Sequence, residues 1–136
     1  MSARPAVLYA CIHNSGRSVA AQVLTEHYAR GAVTVRSAGS EPGHAVNPVV
    51  AKVLAERGLS TAGHIPTLLD DDLTHAADVV ITMGCGETCP VLPGKRYEDW
   101  PVADPEGQDL PTVQEIVDDI DQRVRRLLGD LAVAVP

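Results

Sequence analysis

The chain has 136 residues, 45% hydrophobic and 21% charged, a composition that suits one soluble domain with a sizeable core and is too short for two comfortable ones. Its 18 acidic side chains outweigh 11 basic ones, and the formal charge of −7 disfavours general binding to nucleic acid or anionic membrane. Three tyrosines, one tryptophan and no phenylalanine supply no stacking platform for single strands, and no apolar run reaches the length of a bilayer span.

The first ten residues, "MSARPAVLYA", do not read as a signal peptide. Three cysteines without one are expected to be reduced thiols in a cytoplasm, catalytic or metal-binding rather than structural. "AVLYA" (6–10) is a short, uniformly apolar run, the pattern of a buried parallel strand. From Ser18, "SVAAQVLTEHYA" has helical spacing, with Val19, Val23, Leu24 and Tyr28 on one face. "AVTVRSAG" (32–39) predicts a second strand ending in glycine. "NPVVAKVLAERGL" (47–59) carries Asn47 as N-cap, Pro48 at the first helical position and Gly58 as C-cap.

Residues 67–76 predict a short helix feeding the strand "DVVITM" (78–83), with "KRYEDW" (95–100) as a further strand. Residues 112–131 predict an amphipathic terminal helix carrying Ile116, Ile120, Val124, Leu127 and Leu128. The acidic run at 70–72 reads as a solvated face near a helix start, and "DDIDQRVRR" as an exposed helix face. Alternating strands and helices predict one α/β domain over residues 1–136, a parallel sheet with helices on both faces. In such sheets the functional crevice lies beyond the carboxyl ends of the strands. Cys11 then follows the first strand, residues 37–40 the second, Cys85 the third and Asp104 the fourth, all on one edge.

The stretch "CIHNSGRS" (11–18) joins the first strand to the first helix. A strand–loop–helix turn gathers backbone N–H groups around one point, and the positive end of the helix dipole adds to their field. That concavity overrides the acidic charge of the whole chain locally. The backbone of Ile12, His13, Asn14, Ser15, Gly16, Arg17 and Ser18 forms the expected oxyanion cradle, and the Arg17 guanidinium supplies a planar fork for two oxygens. Cys11 lies at its floor, where the same field favours a thiolate. Gly16 offers a position tolerant of positive φ or close approach, Ser18 a donor to the sulfur, and Asn14 a brace for the loop.

These residues carry a resemblance. "CIHNSGRS" resembles the Cys-x5-Arg-Ser loop of the low-molecular-weight protein tyrosine phosphatase superfamily, "RSAG" (36–39) and "VNP" (46–48) its next segments, and "ADP" (103–105) its Asp-Pro acid loop. The match runs over nearly the whole length in order and is closest to the arsenate reductases built on this fold. It implies a three-layer α/β/α domain with a four-stranded parallel sheet. Cys11 would be the nucleophile, Arg17 the oxyanion ligand and Asp104 the proton donor to the leaving oxygen.

A phosphatase needs water to attack next, whereas a reductase needs a second thiol. "ITMGCGETCPVLPG" (81–94) places Cys85 just past the third strand and Cys89 four residues on, between glycines that let a sulfur move toward Cys11. A packing pair remains an alternative there, and a zinc site would need two further ligands. Family phosphatases carry tyrosine directly after Asp-Pro, but here Glu106 and Gly107 follow, which suits a small inorganic oxyanion.

Thioredoxin-coupled relatives use three cysteines in relay, which Cys11, Cys85 and Cys89 match by position. Departures from that branch are the Cys-x3-Cys spacing, Gly16 where a second loop cysteine often occurs, and Gln22 and Thr67 where carboxylates help hold a potassium ion. "HNSGRS" and "MGCGETCP" resemble the branch that transfers a low-molecular-weight thiol such as mycothiol to arsenate, with mycoredoxin reducing the adduct. The expected reaction is therefore arsenate reduction, with the mycothiol route favoured over thioredoxin and no bound cofactor or metal. A tyrosine phosphatase, and an oxyanion-binding or redox-sensing module, are the alternatives. Asp104 disfavours the last, since a pure binder has no use for a proton donor.

Overall fold

The computed structural model describes residues 4–84 and 95–131. Its elements run β1 (Ala6–Cys11), α1 (Arg17–Ala29), β2 (Thr34–Gly39), α2 (Pro48–Glu56), α3 (Asp71–Ala76), β3 (Val79–Thr82), β4 (Arg96–Asp99) and α4 (Leu110–Asp130). The four strands form one parallel sheet in the order β2-β1-β3-β4. β1 is central and buried, as its unbroken apolar run predicts.

Alternation along β1 divides the core. Val7, Tyr9 and Cys11 join Val79 and Ile81 in the large cluster completed by α1, α2 and α4, while Leu8 packs with Ala38, Val80, Leu69 and Leu73 on the α3 side. α4 presents Val113, Ile116, Val117, Ile120, Val124, Leu127 and Leu128 inward. Its polar face ties itself with Arg123–Asp119 and Arg125–Asp121 pairs four residues apart. Burial pushes the Tyr9 phenol up from its ordinary range, although the hydroxyl meets Thr25 Oγ1 at 2.7 Å. Thr25 spends its own proton on the Ala21 carbonyl, so Tyr9 donates.

The local signals place most helix ends. Asn47 Oδ1 accepts the N–H groups of Val49 and Val50 ahead of Pro48. At the other end Arg57 is the cap, and Gly58 beyond it takes the left-handed conformation. The third helix starts later than its predicted 67. Gly39 donates to the Thr67 carbonyl and accepts from Leu69 N–H, so residues 67–69 extend the sheet edge, and Asp70 caps Leu73 N–H at 2.8 Å. Two edge residues also move relative to expectation: Cys11 is the last residue of β1, and Ser37 lies within β2, its hydroxyl donating to Gln22 Oε1. Among the described residues, no helix is long and apolar enough to cross a membrane.

Candidate active site

The loop between β1 and α1 is shaped by the segment after β2. Ser40, Glu41, Gly43 and Asn47 donate their N–H groups to the carbonyls of Cys11, Ile12, His13 and Ser15 at 2.7–3.1 Å. Those carbonyls are thereby turned away from the loop's interior. Among the described residues, the N–H groups of His13, Ser15, Gly16, Arg17 and Ser18 have no protein acceptor, and that of Asn14 reaches Cys11 Sγ at 3.3 Å. α1 begins at Arg17 with no side-chain cap and no acidic residue in its first turn. Unpaired donors and an uncompensated helix end converge on one sulfur, an arrangement whose chemistry suits an oxyanion.

Asn14 organises this geometry. It is fully buried and holds φ of 51°, a conformation asparagine tolerates better than most residues. Thr67 N–H donates to its side chain at 2.9 Å, so the accepting atom is the carbonyl oxygen. The His64 Nε2 atom 3.2 Å from that oxygen must then be a donor. On the other side, Asn14 Nδ2 donates to Ser18 Oγ at 2.7 Å, which leaves the Ser18 hydroxyl proton for Cys11 Sγ at 2.9 Å. The whole chain of bonds is directed toward the sulfur, which stands as the acceptor at its end.

Arg17 is nearly buried. Its Nη1 donates to the Val102 carbonyl at 3.4 Å, and its Nη2 lies 3.8 Å from Asp104 Oδ2. Gly84, at φ +88°, completes the slot: a Cβ there would stand 2.4 Å from Arg17 Nη1. Asp104 is half-exposed, and its Oδ1 accepts the Glu106 N–H at 3.0 Å, which orients the carboxyl over the cleft. The cleft, about 770 Å³, is lined by Cys11, His13, Ser15, Arg17, His44 and Asp104 among others. Neither Tyr97 nor Trp100 lines it: Trp100 packs on Tyr9 at 5.6 Å between ring centres, and Tyr97 joins the α3-side cluster. Among the described residues, no group of three or more His, Cys, Asp or Glu is placed to hold a metal ion.

Cys11, Arg17, Asp104 and the loop 12–18 thus lie together around one cleft. Of the two uses the sequence leaves open for Gly16, the structure shows the close approach. The Gly16 φ is −138°, and the positive φ falls on Asn14 instead; glycine is needed at 16 because a Cβ would stand 2.8 Å from Pro105 Cγ. Ile12 points to the opposite sheet face, beside Ala10 and Leu69, and contributes its backbone alone. Cys85 and Cys89 lie outside the described residues. His64 and the backbone of Thr67 escape sequence reasoning, since neither belongs to a recognisable local pattern. Gly39 was visible only as a strand end, yet its Cβ would lie 2.5 Å from the Ile12 carbonyl.

With this geometry established, comparison with known proteins is informative. The family model for low molecular weight phosphotyrosine protein phosphatase matches residues 6–135. An arsenate reductase of Staphylococcus epidermidis is 34% identical over 118 residues, covering 84% of this chain and 88% of its own. The structure of a Corynebacterium glutamicum thioredoxin-dependent arsenate reductase superposes with a TM-score of 0.86 at 46% identity, over 96% of this chain. This chain spans 63% of that protein's length. A third relative, an arsenate reductase in a phosphate-binding state, gives a TM-score of 0.83 at 27% identity, covering 93% of this chain and 98% of the other.

Proposed function

The chain belongs to the low molecular weight phosphotyrosine protein phosphatase family, and on that premise we propose that it reduces arsenate to arsenite. The observation that carries this reading is the pairing of a cradle for a tetrahedral oxyanion around Cys11 Sγ with a cleft that has no Tyr or Trp wall. An aryl phosphate would find no tyrosine or tryptophan face for its ring among the described lining residues, whereas arsenate needs only the cradle, the Arg17 fork and a proton source. The resemblance to arsenate reductases of two bacteria supports the same substrate.

In this reading the Cys11 thiolate attacks arsenic, and Asp104 protonates the departing oxygen, which leaves as water. The loop N–H groups and Arg17 hold the remaining oxygens as charge shifts onto them. Where a second thiol attacks Cys11 Sγ, the sulfur–arsenic bond breaks and its electron pair stays on arsenic as As(III). "HNSGRS" and "MGCGETCP" favour a low-molecular-weight thiol such as mycothiol as the donor, transferred to arsenate as an adduct that mycoredoxin then reduces. The thioredoxin dependence of the Corynebacterium glutamicum relative supports the other route, a relay through Cys85 and Cys89.

A donor-swap assay tests the proposal. Arsenate is supplied with thioredoxin and its reductase, or with mycothiol and mycoredoxin, and NADPH oxidation is followed. Turnover with either supports reduction and identifies the donor. Absence of turnover with both, beside brisk hydrolysis of an aryl phosphate, would assign a phosphatase. With the productive donor, Cys85→Ser and Cys89→Ser abolish a relay and spare a direct thiol transfer.

A further inference from the structure

His13 sits two residues beyond Cys11 and lines the same cleft, and its Nδ1 lies 2.9 Å from the Glu41 carbonyl oxygen. A carbonyl oxygen can only accept, so Nδ1 carries the proton and the neutral ring presents a bare Nε2 lone pair. The loop backbone fixes the ring's root as well: Gly43 N–H and the Ser15 hydroxyl both donate to the His13 carbonyl, at 2.9 and 3.1 Å. The result is an exposed, oriented base beside the nucleophile, which the cradle itself does not use. Among the described residues, the other titratable or charged groups around the cleft are Cys11, Arg17, His44, Asp104 and Glu106, with Glu41 in the turn that holds the ring. Among the described residues His44 makes no hydrogen bond that would set its tautomer, and the Asp104 carboxylate is already paired with the Arg17 guanidinium at 3.8 Å.

We infer that His13 is the general base for a free low-molecular-weight thiol that enters the cleft after arsenate has bonded to Cys11. The inference rests on the arsenate-reductase reading. The volume supports it, since a tetrahedral oxyanion seated on the loop fills only a small part of about 770 Å³ and leaves room for a thiol beside it. His13 Nε2 takes the thiol proton as the new sulfur–sulfur bond to Cys11 Sγ forms. The Sγ–As bond breaks, its electron pair reduces As(V) to As(III), and the imidazolium returns the proton to the departing arsenite oxygen. A second thiol then frees Cys11 and leaves as the disulfide of the donor. The sum is arsenate plus two thiols giving arsenite, one disulfide and water.

An alkyl thiol of ordinary acidity is only about 3% ionised at pH 7, so delivery as thiolate is worth up to about 30-fold. The experiment uses His13→Asn, whose amide N–H can still reach the Glu41 carbonyl but offers no base, and His13→Ala, which loses both. Arsenite release is followed with 2-mercaptoethanol and with thionitrobenzoate, an aryl thiol already ionised at pH 7. The first step is followed separately, as protection of Cys11 from alkylation by arsenate. With 2-mercaptoethanol, His13→Asn is expected to fall about 10–30-fold in the second step with the first step unchanged, since only the thiolate fraction present in solution reacts. With thionitrobenzoate the loss shrinks to within about twofold, and added imidazole restores part of the His13→Ala rate.

Equal losses with both thiols would make His13 a structural residue, and no loss with either would remove it from the chemistry. Turnover with thioredoxin and none with the free thiols would overturn the inference while leaving arsenate reduction standing. Absence of wild-type turnover with every donor would instead overturn the reading beneath it.

Discussion

Gly84→Ala isolates what holds the Arg17 fork in place. Gly84 has φ of +88°, where an alanine Cβ costs about 1–2 kcal/mol. The same Cβ would lie 2.4 Å from Arg17 Nη1 and 3.0 Å from Arg17 Cζ. Ordinary contact begins near 3.5 Å, so the guanidinium must retreat by about 1 Å. It cannot do so freely, being bonded to the Val102 carbonyl and paired with Asp104 at 3.8 Å. A displacement of about 1 Å in an oxyanion clamp costs on the order of 100-fold in rate. The expected outcome is a fall of about 100-fold in kcat/KM for arsenate, weaker competition by phosphate, and a melting temperature lower by about 4–8 °C. Steady-state kinetics on the folded variant, with circular dichroism melts alongside, measure all three. A variant that keeps kcat/KM within threefold of wild type and binds phosphate normally would refute the claim that the Gly84 backbone sets the position of Arg17.

Further predictions address the proton donor, the loop brace and the acid limit of the fold. Asp104→Asn should lower kcat by about 10²–10⁴ with little effect on stability, read by steady-state kinetics beside circular dichroism melts. Asn14→Ala leaves the Thr67 N–H without its acceptor and a non-glycine residue in the left-handed region, a loss of about 3 kcal/mol in denaturant melts. Asn14→Gly should recover part of that stability but not the arsenate-dependent turnover, because Ser18 is no longer oriented toward Cys11. Hydrogen bonds from the Thr112 side chain and backbone N–H hold the Asp109 carboxyl below the usual carboxylate range. Its folded-state pKa is depressed, so the stability it contributes is present above the unfolded value near ~3.9 and is lost as pH falls through the folded one. Asp109→Asn should therefore narrow the difference in melting temperature between pH 6 and pH 3.

The sequence by itself determined the features that depend on neighbours in the chain. β1 was legible because a strand buried on both faces is apolar at every position, and α2 because Asn47 and Pro48 are the groups an N-terminus needs. The loop was legible for the same reason, since strand, Cys11, Arg17 and helix lie within a dozen residues and their chemistry is set by that connection. Tertiary structure decided what depends on register. Parallel pairing sets Cys11 beside Gly39, and Gly39 in turn grips Thr67 and Leu69, which is why the predicted helix at 67 begins at 71 and why His64 reaches Asn14. Those partners are about 50 residues from Asn14, and no periodicity encodes such a distance. The glycines show the same division. The chain offers Gly16 for either a positive φ or a close approach, and the fold uses it for the approach of Pro105 while giving the positive φ to Asn14, whose side-chain bonds hold that backbone. Local chemistry names the nucleophile, and the packing of distant backbone against its loop decides how the sulfur, the guanidinium and the acid face one another.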